Sequence, residues 1–424
     1  MRDGEHRTRK RMTLVAVAIG IFGMASAVAR ADVTSDQAAA ILVFPKLVVD
    51  TSTPARTTRG RVDTLIRISN TSNEPVTMRC FYVNANSHCS NSPSTICNAD
   101  LIGTANPCGA TALCVPGWQE SDFTVNITAR QPVAWLASQG AALCSSTVDP
   151  NRPCFRIDGN GTNDNGGSLV QPVAEDPFIG ELKCVAVDRN DLPVARNVLK
   201  GEVEIIRSNP SFLDVEAYNA IGIQALTRNT LDPAAHDNTL VIGGDVCLAG
   251  VNAQQPCTDD SACPGSRCLR SEYNGCPNIL ILDHFFDGAR DPISSDVITT
   301  DLTLVPCTED FLNQLPVKST VQFLVFNEFE QRFSTSRAVT CFQEFRISSI
   351  DRAGPDRSIF SAAVAGTLTG QTRIRGVADQ DQTHGHALLG VAEEFRNGGG
   401  SAAFNLHFHG ARGQADFIYL PPPQ

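Results

Sequence analysis

Tryptophan and tyrosine are scarce, at two and four residues. A sugar-binding sandwich presents such rings as platforms, so this chain has room for one small aromatic patch at most, around Trp118 and Trp135. Catalytic signatures are missing as well: there is no GxSxG elbow, no HExxH, no phosphate-binding loop and no GxGxxG. No CxxC occurs, which removes the usual core of a zinc–thiolate cluster. No long stretch keeps a 3.6-residue apolar period; only Glu309–Leu315 and Ser35–Ala40 read as helical turns. Beyond residue 31 no run is long and apolar enough to span a bilayer. Positive charge is short: the formal net charge is −11, and because residues 1–31 hold six basic and two acidic residues, the remainder stands at −15. Such a chain has no electrostatic reason to bind nucleic acid or anionic lipid.

What is present begins with a leader. Arg2, Arg7, Arg9, Lys10 and Arg11 precede an apolar run from Met12 to Ala27, and Ala29-Arg30-Ala31 fits a small-x-small cleavage site before Asp32. This pattern predicts Sec-type export and a secreted, periplasmic or cell-surface location, with no transmembrane segment left in the mature chain. An uncleaved anchor is the competing reading, and the run is short for one. All 15 cysteines follow the leader. In an exported chain they read as disulfides, and the odd count leaves one thiol over.

The remaining 393 residues suffice for two domains with real cores. A stretch of strand, turn and strand occurs twice, from Gly180 and from Gly370, and each copy is followed by Ala-aromatic-Asn, at Ala217-Tyr218-Asn219 and Ala403-Phe404-Asn405. Other pairs follow the same order: Ile41–Asp50 with Ile279–Asp287, the strand ending at Asn70 with Val321–Asn327, Arg79-Cys80-Phe81 with Thr340-Cys341-Phe342, and Leu240–Ile242 with Phe417–Leu420. Cys80 to Gly180 spans 100 residues against 29 from Cys341 to Gly370, as insertions in the first copy would require. Alternation and turn density then predict an all-β chain. Its expected form is two tandem antiparallel sandwiches, broadly immunoglobulin-like and related by internal duplication, over residues 37–246 and 277–424. Cys-rich insertions are expected at about 85–170, and a Cys-rich loop or linker at 247–276.

The cysteine loops share a spacing. Cys97-x10-Cys108-x5-Cys114 and Cys247-x9-Cys257-x5-Cys263 both place proline before the middle cysteine, Cys144-x9-Cys154 repeats the first half, and Cys268 extends the second loop. This resembles the short cysteine-rich repeats inserted in exported bacterial proteins, over about thirty residues at a time, a resemblance that implies no activity. The wide spacings favour disulfides over a zinc cluster. Cys80 and Cys184 are placed to bridge the first sandwich. Ile374 stands where Cys184 would recur, so Cys307–Cys341 is the expected bridge of the second, closing a 33-residue loop. The set Cys247, Cys257, Cys263 and Cys268 is complete without Cys276, which makes Cys276 the expected free thiol.

Histidine offers the one metal candidate. His407 and His409 alternate along a strand and therefore share a face, and His384 and His386 lie in the preceding turn. Four imidazoles folded together would hold a divalent ion; the bland reading is an exposed strand bearing two solvated histidines, with Ile221 and Ile223 at the matching places of the first copy. Asp158–Gly167 has spaced oxygens like a calcium loop, but lacks its central glycine and closing glutamate and reads as a polar loop. Asp283-His284 with a nearby serine would make a triad, against the stronger reading of a buried histidine bonded to a carbonyl. The expectation is an exported, non-enzymatic structural or adhesive protein of a bacterial surface or periplasm, engaging a surface or protein partner. The rivals are a secreted metal-dependent hydrolase using the second-domain histidine face, and a ligand-binding module at Trp118 and Trp135.

Overall fold

Alternating segments become strands that bury one side. The structure, a computed structural model, describes residues 37–53, 60–97, 107–115, 117–143, 154–155, 170–209, 211–226, 239–247, 250–252, 255, 257, 260–266, 268–277, 279–377, 386–397, 399–409 and 416–421. The chain begins with β1 (Ile41–Val49), β2 (Arg61–Asn70) and β3 (Val76–Asn84). The first Cys-rich loop adds a small sheet of β4 (His88–Cys89), β5 (Ser92–Ile96) and β6 (Cys114–Val115). Then come β7 (Gln119–Ile127), β8 (Pro132–Leu136), the short pair β9 (Ala142–Leu143) and β10 (Cys154–Phe155), β11 (Phe178–Val187), β12 (Leu199–Asn209), β13 (Phe212–Asn219) and β14 (Ile221–Ile223).

Nine of these strands make two antiparallel sheets that pack face to face, ordered β13-β12-β2-β8 and β14-β1-β11-β3-β7. In β2 the residues Val62, Thr64, Ile66 and Ile68 point into the core while the alternate residues face outward. By contrast β11 is buried along its whole length, the mark of a strand covered on both faces. Pro45 sits in a bulge of β1 between Phe44 and Leu47, where its missing N–H breaks no ladder bond.

The second half continues with β15 (Thr239–Cys247), β16 (Cys268–Asn274), β17 (Ile279–Phe285), β18 (Ile298–Pro306), β19 (Glu309–Asp310), β20 (Lys318–Asn327), β21 (Arg332–Thr340), β22 (Gln343–Arg346), β23 (Thr369–Val377), β24 (Leu388–Arg396), β25 (Ser401–Asn405), β26 (His407–His409) and β27 (Asp416–Tyr419). Its sheets are ordered β25-β24-β18-β22 and β26-β17-β23-β20-β21. Taken in chain order, the nine sandwich strands of each half hold the same places. Gly180 pairs with Asn84, and Gly370 with Asn327. A Cβ on Gly180 would meet the Val83 carbonyl at 1.9 Å, and one on Gly370 would meet the Phe286 ring at 2.5 Å, so both places require glycine. Ile221 and Ile223 pair with β1 as His407 and His409 pair with β17. Strand β20 thus takes the place of β3 rather than that of the strand ending at Asn70, and Cys341, just beyond β21, is not placed like Cys80.

Three further expectations are corrected. The insertion foreseen at about 85–170 contains β7 and β8, which are sandwich strands; only the segments around them are extra. The 247–276 loop contains β16, which pairs with β15 in a bridging sheet ordered β16-β15-β27-β19. In that sheet Leu240–Gly243 lie beside Asp416–Tyr419 in parallel. Glu309–Leu315 is a two-residue strand and a turn, not a helix. The one α-helical turn among the described residues is Ala362–Ala365, capped by the Ser361 hydroxyl.

The sandwiches stack, with β1 of the first against β18 and β24 of the second. Val305, Leu389 and Val391 point away from their own sandwich into the first core, while Leu302, Leu304, Leu388 and Ala392 point into the second. Charged groups are buried in the same contact. Lys46 pairs with Glu393 and, at 3.1 Å, with Glu344; Arg207 reaches Glu393 at 2.9 Å and Glu216 at 2.6 Å. The Tyr218 hydroxyl donates to the Lys46 carbonyl at 2.5 Å and accepts its N–H at 3.0 Å. Burial opposes the charge on Lys46, but Glu344 and Glu393 outweigh it and hold its pKa above the ordinary lysine value. A second cluster joins Lys183 to Glu309 at 2.8 Å, Glu181 at 3.2 Å and the Pro306 carbonyl at 3.1 Å.

The disulfides follow from this packing. Cys80–Cys184 joins directly opposed residues of β3 and β11. Cys89–Cys108 and Cys97–Cys114 tie the first loop, and Cys247–Cys263 the second, where Cys257 is also disulfide-bonded. The pairing expected for the second sandwich is overturned. Cys276 is bonded to Cys307, and Cys341 is the buried free thiol among the described residues. The cause is the bridging sheet: β16 ends just before Cys276, and β19 begins just after Cys307, so both cysteines lie beside one sheet. Cys341 is held elsewhere, past β21 with φ +56° and its N–H on the Val317 carbonyl.

Non-reducing peptide mapping will recover Cys276 joined to Cys307, with Cys341 alkylated only after unfolding. A Cys307–Cys341 peptide would refute this. In denaturant titrations, Lys46→Met and Glu393→Leu will each lose about 3–5 kcal/mol, because each strands buried charge. The double variant will lose clearly less than the sum, and strict additivity would mean that the pair is not coupled.

Candidate functional site

A cleft of about 570 Å³ lies at one end of the second sandwich. Strand β17 supplies Asp283, His284 and Phe285; the end of β20 supplies Phe326, Asn327 and Glu328; the start of β23 supplies Thr369, Gly370 and Gln371; and β24 supplies Glu394. Gly370 lets the floor of the cleft approach Phe286 and the Phe326 carbonyl. Asn327 fixes the rim. Its amide donates to Gln331 Oε1 and the Ala365 carbonyl, both at 2.8 Å, and its carbonyl oxygen accepts the N–H groups of Phe329 and Gln331. In the first sandwich the matching Asn84 instead donates to Glu175 at 2.6 Å, and Glu175 also binds Asn86 and His88.

His284 looks catalytic in sequence, but its geometry commits both ring nitrogens. Nδ1 lies 3.0 Å from the Phe285 carbonyl oxygen, which only accepts, so Nδ1 carries the proton. Nε2 therefore accepts from the Thr372 hydroxyl at 2.8 Å. The ring is buried against Phe286 and Phe360, and burial pushes its pKa down to about 4. A neutral imidazole with neither nitrogen free is a structural group, and Thr372 beneath it is buried too. The carboxylates differ. Hydrogen bonds from Thr369 hold Glu328 below its ordinary pKa, burial raises Glu394, and Asp283 accepts from Gln371 at 3.1 Å. The cleft presents acceptors and two partly buried rings, and the Thr369 hydroxyl in its lining is bonded to Glu328 at 2.6 Å.

The other sequence candidates are spread out. His407 and His409 are both exposed on one face of β26, as alternation requires, and His386 is buried. His384 and Asp158–Gly167 lie outside the described residues. Among the described residues, the ligating groups that converge in threes are Cys89, Cys97 and Cys108; Cys247, Cys257 and Cys263; and Cys276, Cys307 and Asp416; none includes a histidine. The cysteines are in disulfides, so none offers a thiolate. Trp135 is fully buried and donates to the Tyr82 hydroxyl at 2.6 Å, while Trp118 stacks on Phe311. Neither ring is a free platform. The buried charge clusters went unread in the sequence, although Lys183 between apolar neighbours on a strand was their signal.

A scan of protein-family models and a search of curated proteins both find no match to this chain.

His284 sets a pH dependence. Its folded pKa lies below the unfolded value near 6.5, so its contribution to stability is present above that pH and is lost as pH falls through about 4. His284→Gln cannot titrate. The stability difference between wild type and variant, measured by denaturant unfolding at stepped pH, will shrink by about 3 kcal/mol from pH 7 to pH 4. A constant difference would show that His284 is not held neutral.

Proposed function

We propose that this is an exported, non-enzymatic protein with a structural or adhesive role at a bacterial surface or in the periplasm, built from two copies of one duplicated sandwich. The observation that carries this reading is where the chain places its reactive groups. The histidine in the cleft is locked by two hydrogen bonds, and Lys46, Glu393, Lys183 and Glu309 are buried between the halves, where they hold them in register. Cysteines bonded in the loops fit an oxidising compartment. The identical strand order of the two halves supports duplication. No helix among the described residues is long and apolar enough to cross a membrane.

Cell fractionation with N-terminal sequencing tests the location. The expected product starts at Asp32, lies outside the cytoplasm and is oxidised; a reduced cytoplasmic chain with residues 1–31 retained would end the proposal. Metal analysis of the same purified material tests the role. Stoichiometric zinc that disappears in His407→Ala would replace this reading with the metal-dependent one.

A further inference from the structure

An amine and two carboxyl groups meet where the first half touches the bridging sheet. Strand β11 carries Glu181 and Lys183 two residues apart, so both side chains leave the sheet on one face. Strand β19 brings Glu309 to them. Lys183 Nζ lies 2.8 Å from Glu309 Oε1 and 3.2 Å from Glu181 Oε1, and it donates to the Pro306 carbonyl at 3.1 Å. The Glu181 and Glu309 carboxyls are also within hydrogen-bonding reach of each other. Lys183, Glu181 and Glu309 are all fully buried. Phe81, the cross-strand neighbour of Lys183, stacks on Phe311 at 4.4 Å beside them.

This arrangement holds a nucleophile, an acyl group and a proton carrier in contact. Burial and Glu309 push the Glu181 carboxyl well above its ordinary pKa, against the pull of Lys183, and such a group suits the transfer of protons. Amine and carboxyl fixed at this range react at an effective concentration on the order of 10⁵ M or more. Turning a buried ion pair into a neutral amide also removes the cost of desolvating two charges. Neither related place in the molecule offers the same chemistry. In the second half Gln371 and Arg373 stand where Glu181 and Lys183 do, and a guanidinium does not give up its proton to become a nucleophile. In the Lys46 cluster burial opposes the charge on Glu393, but Lys46 and Arg207 outweigh it and hold that carboxyl below its ordinary pKa, as an anion that resists attack.

We propose that Lys183 and Glu309 become joined by an amide bond inside the folded chain, with Glu181 carrying the protons. Burial opposes the charge on Lys183, but the two glutamates outweigh it, so the reaction starts from the ammonium. Its proton passes to the Glu309 carboxylate, which leaves a neutral amine facing a neutral carboxyl. Nζ then attacks Cδ of Glu309. Glu181 takes a proton from the nitrogen and gives its own to the departing hydroxyl. The Nζ–Cδ bond forms, one Cδ–Oε bond breaks, one water leaves, and Glu181 ends as it began. No oxidant or second reactant is needed. The bond ties β11 of the first half to β19 of the second, so the halves cannot part without breaking it. The inference does not depend on the role proposed above, since an enzyme with this cluster would form the same bond.

The intact mass of the chain from Asp32 onward, reduced and fully denatured, tests this. The expected mass is lower than that of the sequence by one water. Trypsin will not cut after Lys183, and one branched peptide will contain both Lys183 and Glu309. Lys183→Met will show the full sequence mass. Glu181→Gln keeps the size of the proton carrier but not its acid proton, and it will slow bond formation at least ~100-fold, read as the fraction of chains at full mass over time. A wild-type chain at full sequence mass overturns the proposal, and so does a lost water that maps anywhere but Lys183 and Glu309. Both of those outcomes are read on the wild type and need no variant to fold. Bond formation in Glu181→Gln at the wild-type rate would overturn the part given to Glu181.

Discussion

The stacking of the sandwiches depends on ionised groups that have no water. Lys46, Glu393, Arg207 and Glu216 lie almost fully buried between the two halves, and desolvating each is expensive unless its partner is in place. Apolar contacts among Val305, Leu389, Val391 and the first core tolerate small slips. The ion pairs do not, because a slip of one residue would leave a buried charge without its partner. The apolar face therefore supplies most of the attraction, and the ion pairs select one alignment. The second cluster behaves the same way with an uneven count, one lysine against Glu181 and Glu309. Burial drives the Glu181 pKa well up, with Lys183 opposing and Glu309 adding to the rise.

Once the alignment is set, the chain connectivity of the bridging sheet follows. Strands β15 and β27 close their respective halves and end up side by side, with β16 and β19 on the flanks. That sheet brings Cys276 next to Cys307 and leaves Cys341 without a partner. Burial raises the Cys341 thiol pKa far above its ordinary value, with Glu309 and Glu181 adding to the effect, so this thiol stays protonated and unreactive. Disulfide choice here is an outcome of sheet formation, and it could not be reached by assigning cysteines to loops first.

This explains which parts were legible in the sequence. Period-2 alternation in Arg61–Asn70 and Gln119–Ile127 identifies strands, since the pattern is local. Gly180 and Gly370 mark equal places because each must admit a backbone or ring where a side chain would collide. The cleft was not legible: it takes residues from four strands, and its histidine is disarmed by a carbonyl and a threonine that sequence order does not place beside it. Cys276 was misassigned for a related reason. Its loop spacing is a local signal, whereas its bond depends on strands far apart in the chain.

Two halves with the same strand order do not have equal environments. Lys183 and Arg373 occupy the same place in the same row, yet one is sealed against Glu309 and the other faces solvent. Lysine at the sealed place presents a compact charge that Glu181, Glu309 and the Pro306 carbonyl surround. Arginine at the open place spreads its charge over a plane that lies on Phe326 and remains able to fork onto a carboxylate. The same divergence separates the buried end at Asn84, where Glu175 fills the gap, from the open one at Asn327, where a cleft remains. In both cases the first half is the more enclosed one, by the second half at Lys183 and by its own Glu175 at Asn84.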